Sequence, residues 1–293
     1  MKEYFDANLK ASFQLWLDDI LCRDGEAFKT ETSNLVKLSS KLSGFSVFKA
    51  PKNQFVYDDS IPSATVPRGA ILNGVSTTSS GVGTISNSSN FIIDYLNGRI
   101  LTKNSLGIST ASMTYSYKEI ETRFTSLAEH RLIFHDKVDG NTVDFSSPET
   151  TEKQISYPII YIKYSPGTNT PFCFGGTDKT ASSFRLVFLA DSSWLFDNVC
   201  GLLRDQERKM IGYVSSDKLP FNALGDLKYT LSGNHTFSYR AHLIDCLQNN
   251  TNLCEISSVK ISPFTEEVNT LIDQKLIGGF IDIGVSALRT PRL

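Results

Sequence analysis

A chain of 293 residues with 40% hydrophobic and 20% charged residues holds enough apolar content for one large domain or two modest ones, which excludes a disordered tail or a fibre. Lys plus Arg (29) and Asp plus Glu (31) leave a formal charge of −2, so no overall field demands a polyanionic partner. No stretch approaches the roughly 20 apolar residues of a membrane span, and the opening MKEYFDANLK lacks the apolar region of a signal peptide; a soluble chain kept in the cytosol, with no membrane partner, is expected.

The first element is an amphipathic helix over 3–21, in which Phe5, Leu9, Phe13, Leu17 and Ile20 recur at three- and four-residue steps. Arg23-Asp24-Gly25 stops it. Thr32-Ser33-Asn34 and the following LVKLSSKLSGFSVFK suggest a short second turn and then a strand ending before Pro51. From Pro51 to about Thr114, short apolar runs separated by turn residues read as antiparallel β. Asn97-Gly98, between FIIDYL and RILT, predicts a type I′ hairpin, which needs positive φ at both central residues. The Ser, Thr, Gly and Asn stretch at 74–90 predicts an exposed, mobile loop.

KEIETRFTSLAEHR has helical spacing at Ile120, Phe124 and Leu127, although β-branched and aromatic neighbours leave strand open there. A long polar connection follows, and then the strand IIYIKYSP bracketed by Pro158 and Pro166. SFRLVFLA predicts a buried strand feeding a Ser-capped helix near 192–209, with Trp194, Leu195, Val199, Leu202 and Leu203 on its apolar face. IGYVSS, DLKYTLSG, TFSYRAHLIDCLQ, CEISSVKISPFT and GGFIDIGVSALRT read as further strands, with helical character only around EEVNTLIDQ. The expected fold is α+β, predominantly antiparallel β in sandwich or barrel-like sheets, divided into an N-terminal segment 1–50, a β-rich domain 51–150 and an α+β domain 151–293.

Chemistry-bearing patterns are sparse. The five cysteines, at 22, 173, 200, 246 and 254, form no CxxC pair and are expected to be reduced and mostly buried; Cys246 and Cys254 flank a polar run that could oppose them in a hairpin. The four histidines, His130, His135, His235 and His242, form no HExxH or HxH. His242 stands four before Cys246, a metal-ligating spacing only on a helix, and on the strand expected there the two lie about 13 Å apart. No Ser sits in a GxSxG elbow, and the glycine pieces at 81–83, 175–176 and 278–279 read as turns with positive φ, not as phosphate cradles. Asp18-Asp19, Asp58-Asp59 and Glu266-Glu267 read as surface charges. No catalytic residue, cofactor or metal is therefore expected. The 19 Phe and 11 Tyr, including Tyr115, Tyr117, Tyr157, Tyr161, Tyr164, Phe184 and Phe188, read as sheet core, with subunit interface as the alternative; Tyr115 and Tyr117, together with Arg289 and Arg292 of the C-terminal RTPRL, are the candidate interface residues.

Two blocks carry a family resemblance. FIIDYLNGRILTKNSLGISTASMTYSYKEIETRF resembles a hairpin module of tailed-bacteriophage virion proteins, and TPFCFGGTDKTASSFRLVFLADSSWLFDNVCGLLRDQERKMIGYV is similar to a sheet-plus-helix module of phage neck proteins, the ring-forming connectors and terminators between portal and tail. The resemblance implies a non-enzymatic subunit of the head-tail junction, assembled in the host cytoplasm and carried in the virion. It implies a homo-oligomeric ring as partner, neighbouring neck and tail proteins above and below, and genomic DNA passing through the channel without sequence-specific contacts. The competing classes are another virion or tail binding module, of receptor or collar type, and an enzyme of unfamiliar type.

Overall fold

The computed structural model describes residues 5–38, 44–73, 81–84, 91–133, 157–173, 176–222, 226–228, 237–272 and 276–289. The fold is α+β and mostly β, with two curled, antiparallel-rich sheets.

Helix α1 (Phe5–Asp19) runs into a π-helical turn, Ile20–Asp24, that closes on Gly25. Leu9, Phe13 and Leu17 of the expected stripe are buried, but so are Asn8, Ser12, Trp16, Asp18 and Asp19, because the helix packs within the main core and leaves little of its circumference to solvent. The first sheet is assembled from β1 (Phe28–Leu38), β2 (Phe45–Lys49), β3 (Gly69–Asn73), β4 (Gly81–Thr84), β5 (Phe91–Asp94), β6 (Arg99–Lys103) and β7 (Thr110–Lys118). Their order is β4-β3-β7-β1-β2-β6-β5, antiparallel throughout. Thr32-Ser33-Asn34 therefore lies inside β1, paired with Thr114, Met113 and Ser112 of β7, and no turn forms there. Of the expected loop at 74–90, Gly81–Thr84 is strand β4 paired with β3, and the rest lies outside the described residues.

The β5–β6 hairpin closes at Asp94↔Arg99, so four residues make the loop where a two-residue type I′ turn is expected. Only Gly98 takes positive φ, at +59°. The longer loop lets the Tyr95 ring drop into the core, where it meets Phe55 edge-on and its hydroxyl donates to the Pro67 carbonyl. Burial of that ring outweighs the local preference of Asn-Gly for the tighter turn.

The second sheet has the order β11-β12-β13-β10-β9-β8. It contains β8 (Glu121–Phe124), β9 (Ile159–Cys173), β10 (Thr177–Ala190), β11 (Met210–Gly212), β12 (Leu253–Pro263) and β13 (Ile277–Arg289). Only β8 and β9 pair in parallel. The segment around Ile120, Phe124 and Leu127 is thus strand β8 followed by the short helix α2 (Glu129–Ile133), and Phe124 and Leu127 are exposed. β9 passes through Pro166, the expected end of its strand. Beyond Ile162 it has no β8 partner, and a bulge opposite Ala181 and Ser183 accommodates the missing N–H. The sheets do not follow a division at residues 50 and 150: β1 and β2 sit within the first sheet, and β8 belongs to the second.

Ser192 caps helix α3 (Ser193–Arg204), its hydroxyl accepting from the Leu195 N–H at 3.3 Å. α3 buries Phe196, Val199, Cys200 and Leu203 and leaves Trp194 in solvent. The expected strand TFSYRAHLIDCLQ is helix α4 (Tyr239–Asn249). Ser238 caps it, Asn250 ends it at φ +49°, and Tyr239, Leu243 and Cys246 are buried at helical spacing. Thr265 caps the short helix α5 (Glu266–Leu271).

One hydrophobic cluster joins Phe13, Trp16 and Leu17 of α1 to Phe48, Ile93 and Tyr115 of the first sheet and to Phe184, Phe188 and Ile281 of the second. Phe13 stacks on Phe184 with centroids 3.7 Å apart. A smaller cluster covers the opposite face of β9 and β10, where Val187 and Leu189 meet Leu132, Phe264 and Ile272. Burial on both faces explains why SFRLVFLA reads as an unbroken apolar run. Gly278 and Gly279 lie within β13, not in a turn; a Cβ on them would sit 2.6 Å from Phe264 and 2.8 Å from Phe196, so they permit close packing.

Candidate functional site

A cleft of about 780 Å³ opens where the π-helical turn, the 51–53 loop, the end of β7 and α3 converge. Its walls mix aromatic and charged groups. Tyr117 lies under the Lys52 ammonium, 5.0 Å from ring centroid to nitrogen, and Lys29 pairs with Glu119 across the β1–β7 ladder. On the facing wall, Trp194 is 75% exposed at the mouth.

Behind the cleft lies a buried polar network. Asp18 Oδ2 accepts from Lys118 Nζ at 2.6 Å and from the Tyr57 hydroxyl at 2.7 Å, and Oδ1 accepts from Thr122 Oγ1 at 2.8 Å. Gln54 bridges the start of β8 to the same lysine: its Oε1 accepts from the Thr122 N–H at 3.1 Å and from Lys118 Nζ at 3.4 Å. A second set begins at Asp19, whose Oδ1 accepts from Arg23 Nε at 2.9 Å; Arg23 also donates to the Ser60 carbonyl at 2.9 Å. Asp58 accepts from Ser60 and, at 2.9 Å, from the Tyr239 N–H that opens α4. Asp18, Asp19 and Asp58 are therefore buried, hydrogen-bonded structural groups and not the surface charges expected of them. Asp59 pairs with Arg68 at 2.5 Å, while Glu266 and Glu267 are exposed in the first turn of α5.

The electrostatics of this network favour cohesion over reactivity. Burial raises the Asp19 carboxyl above its usual range, with Arg23 pulling the other way, and the Tyr57 phenol is held well above its ordinary value by burial and by Asp18. Burial likewise pushes the neighbouring Cys22 thiol up to about 12, the opposite of an activated thiolate.

Helix α4 does bring His242 and Cys246 together, contrary to the strand expected there: Cys246 Sγ lies 3.5 Å from His242 Nε2. The same nitrogen lies 3.2 Å from the Tyr213 carbonyl. Burial lowers the imidazole's pKa and raises the thiol's, so both groups favour their neutral forms. Cys246 and Cys254 are free and buried, as are Cys22 and Cys200. His130 is exposed on α2, and His135 and His235 lie outside the described residues. Among the described residues no three His, Cys, Asp or Glu side chains gather as a metal site, and no helix is long and apolar enough to cross a membrane.

The candidate interface residues separate. Tyr115 is fully buried between the sheets, its ring 4.6 Å from Phe55 and its hydroxyl donating to Glu31, so it serves this chain's own core and not a contact surface. Tyr117 lines the cleft. The Arg289 guanidinium lies over Phe5, 4.2 Å from the ring centroid, which ties the end of β13 to the start of α1. Arg292 lies outside the described residues.

Three of the exposed apolar side chains that sequence periodicity misses form a second surface. Phe172, Met210 and Leu288, exposed by 58%, 40% and 59%, border a recess of about 380 Å³ on the second sheet. The cross-strand pairs Met210↔Glu255, Glu255↔Ser286 and Lys179↔Leu288 put this recess on the face opposite Phe188, the face on which α3 and Trp194 sit. No family model and no curated protein matches the chain.

Proposed function

We propose that the chain is a structural subunit of a tailed-phage neck, closing into a homo-oligomeric ring around the DNA channel and joining head to tail. The observation that carries this reading is a pair of unlike surfaces on opposite faces of the second sheet, the mixed aromatic and charged cleft at Trp194 and the recess bordered by Phe172, Met210 and Leu288. A ring is built from heterologous contacts, in which surface A of one subunit meets surface B of the next. Both surfaces fall in or beside the block at 170–214 that resembles neck proteins. Near-neutral charge suits a channel subunit, since a strongly basic wall would hold DNA by counterion release where passage requires sliding.

Sedimentation of Trp194→Ser, Leu288→Ser and their mixture tests the reading. Each variant alone lacks one of the two surfaces and remains monomeric, whereas the mixture pairs the intact surfaces and stops at dimers. Self-association of either variant alone to the wild-type size removes the heterologous contact and the ring with it.

A further inference from the structure

We propose that the niche formed by the end of β2, the 51–53 loop, the 95–98 turn and β8 binds a phosphate group. The inference is independent of the neck reading. A recess of about 110 Å³ is lined by Lys49, Asn53, Asn97, Arg99 and Arg123. Two of its three cations already have counter-ions: Arg99 Nε lies 2.7 Å from Asp94 Oδ2, and Arg123 Nη2 lies 2.7 Å from Glu121 Oε2. Lys49 is the third, and it is only 5% exposed. Its ammonium donates to the Asn97 carbonyl, and among the described residues no carboxylate lies within ion-pair distance of it.

Among the described residues Lys49 thus has no carboxylate partner, and a buried ammonium without one is costly unless an anion joins it. The ammonium's own pKa reflects this: burial lowers it to about 8, with Arg123 and Arg99 adding to the fall and Glu121 and Asp94 opposing it. An ammonium has three donors, and one carbonyl uses only one of them. With two guanidinium groups at the rim, the niche presents cationic donors from three elements. That arrangement suits the several oxygens of a tetrahedral oxyanion better than a planar carboxylate, which one bidentate partner satisfies. The recess has room for one such group, whereas a nucleic-acid duplex is held by a row of cations along its backbone.

The test is calorimetric titration of the full chain at pH 7 and low ionic strength, with inorganic phosphate, a phosphate monoester and a duplex oligonucleotide as probes. Saturable binding of inorganic phosphate is expected, with affinity falling about tenfold or more in Lys49→Met and in Arg123→Gln, the loss of one charge-assisted hydrogen bond. Equal affinity for the monoester identifies a phosphate carried on a larger molecule as ligand, and weaker affinity identifies free phosphate. Arg123 is half-exposed, so Arg123→Gln carries the test should Lys49→Met fail to fold. Absence of saturable phosphate binding to the wild type, unchanged affinity in Arg123→Gln, or binding of the duplex with phosphate inert each overturns the proposal.

Discussion

Gly98 and Gly107 form a matched pair that separates backbone strain from close approach. Both are left-handed, at φ +59° and +60°. A Cβ on Gly107 would meet nothing within 4 Å, whereas one on Gly98 would fall 2.1 Å from the Asn53 carbonyl oxygen and 2.3 Å from that of Lys52. Gly107→Ala therefore costs only the left-handed penalty, about 1 kcal/mol. Gly98→Ala adds an overpacking cost of about 1–3 kcal/mol, because the atoms in the way are main chain and cannot rotate aside. The Gly98 carbonyl also accepts from the Ala50 N–H at 3.0 Å, so displacing the turn strains the end of β2. For a chain of this size about 1 kcal/mol moves Tm by roughly 2–4 °C. Gly107→Ala should lower Tm by about 2–4 °C and Gly98→Ala by two to four times as much, with urea midpoints falling in the same order. Equal losses in the two variants would show that the 51–53 loop does not press on the turn, and the wall of the phosphate niche would have to be redrawn.

Removing one partner of the Asp18–Lys118 pair leaves a buried charge without its counter-ion. Asp18→Ala should cost about 3–5 kcal/mol in urea unfolding, and Asp18→Leu combined with Lys118→Met should recover most of that loss; an additive double variant would refute the coupling. Burial, with Asp94 adding, pushes the Asp226 carboxyl up to about 7. With the folded value above the unfolded one, the folded state holds the proton longer, so Asp226 lowers stability progressively as pH rises from about 4 to 7. Asp226→Asn should match the wild type near pH 4 and gain as much as about 4 kcal/mol at pH 8; a gain that does not vary with pH would assign the effect to packing.

The N-terminal helix, described from Phe5, the capped helix after SFRLVFLA and the predominance of antiparallel β are legible because each rests on periodicity over many residues, the signal that burial writes most directly into sequence. What is missed depends on partners distant in the chain. Asp18-Asp19 sits inside FQLWLDDILC, and acids set in an apolar run on both sides were the available sign of a buried ion pair; Lys118, the partner of Asp18, is a hundred residues away. Helix α4 is hidden because Tyr, Phe, His and Ile around Ser238 carry β propensity, which its cap and buried face override. Pro166 passes as a terminator unless it is known that the β8 pairing ends at Ile162, before it. The cleft, the phosphate niche and the recess at Phe172, Met210 and Leu288 bring together residues distant in the chain, which local pattern does not encode.

Electron microscopy of the purified wild-type chain, together with labelling of the chain in phage particles, puts the proposed ring at a virion neck to the test. Closed rings of one size with a central channel, and label confined to the head-tail junction, are the expected result. A chain that stays monomeric at high concentration, or label anywhere else on the particle, would contradict it.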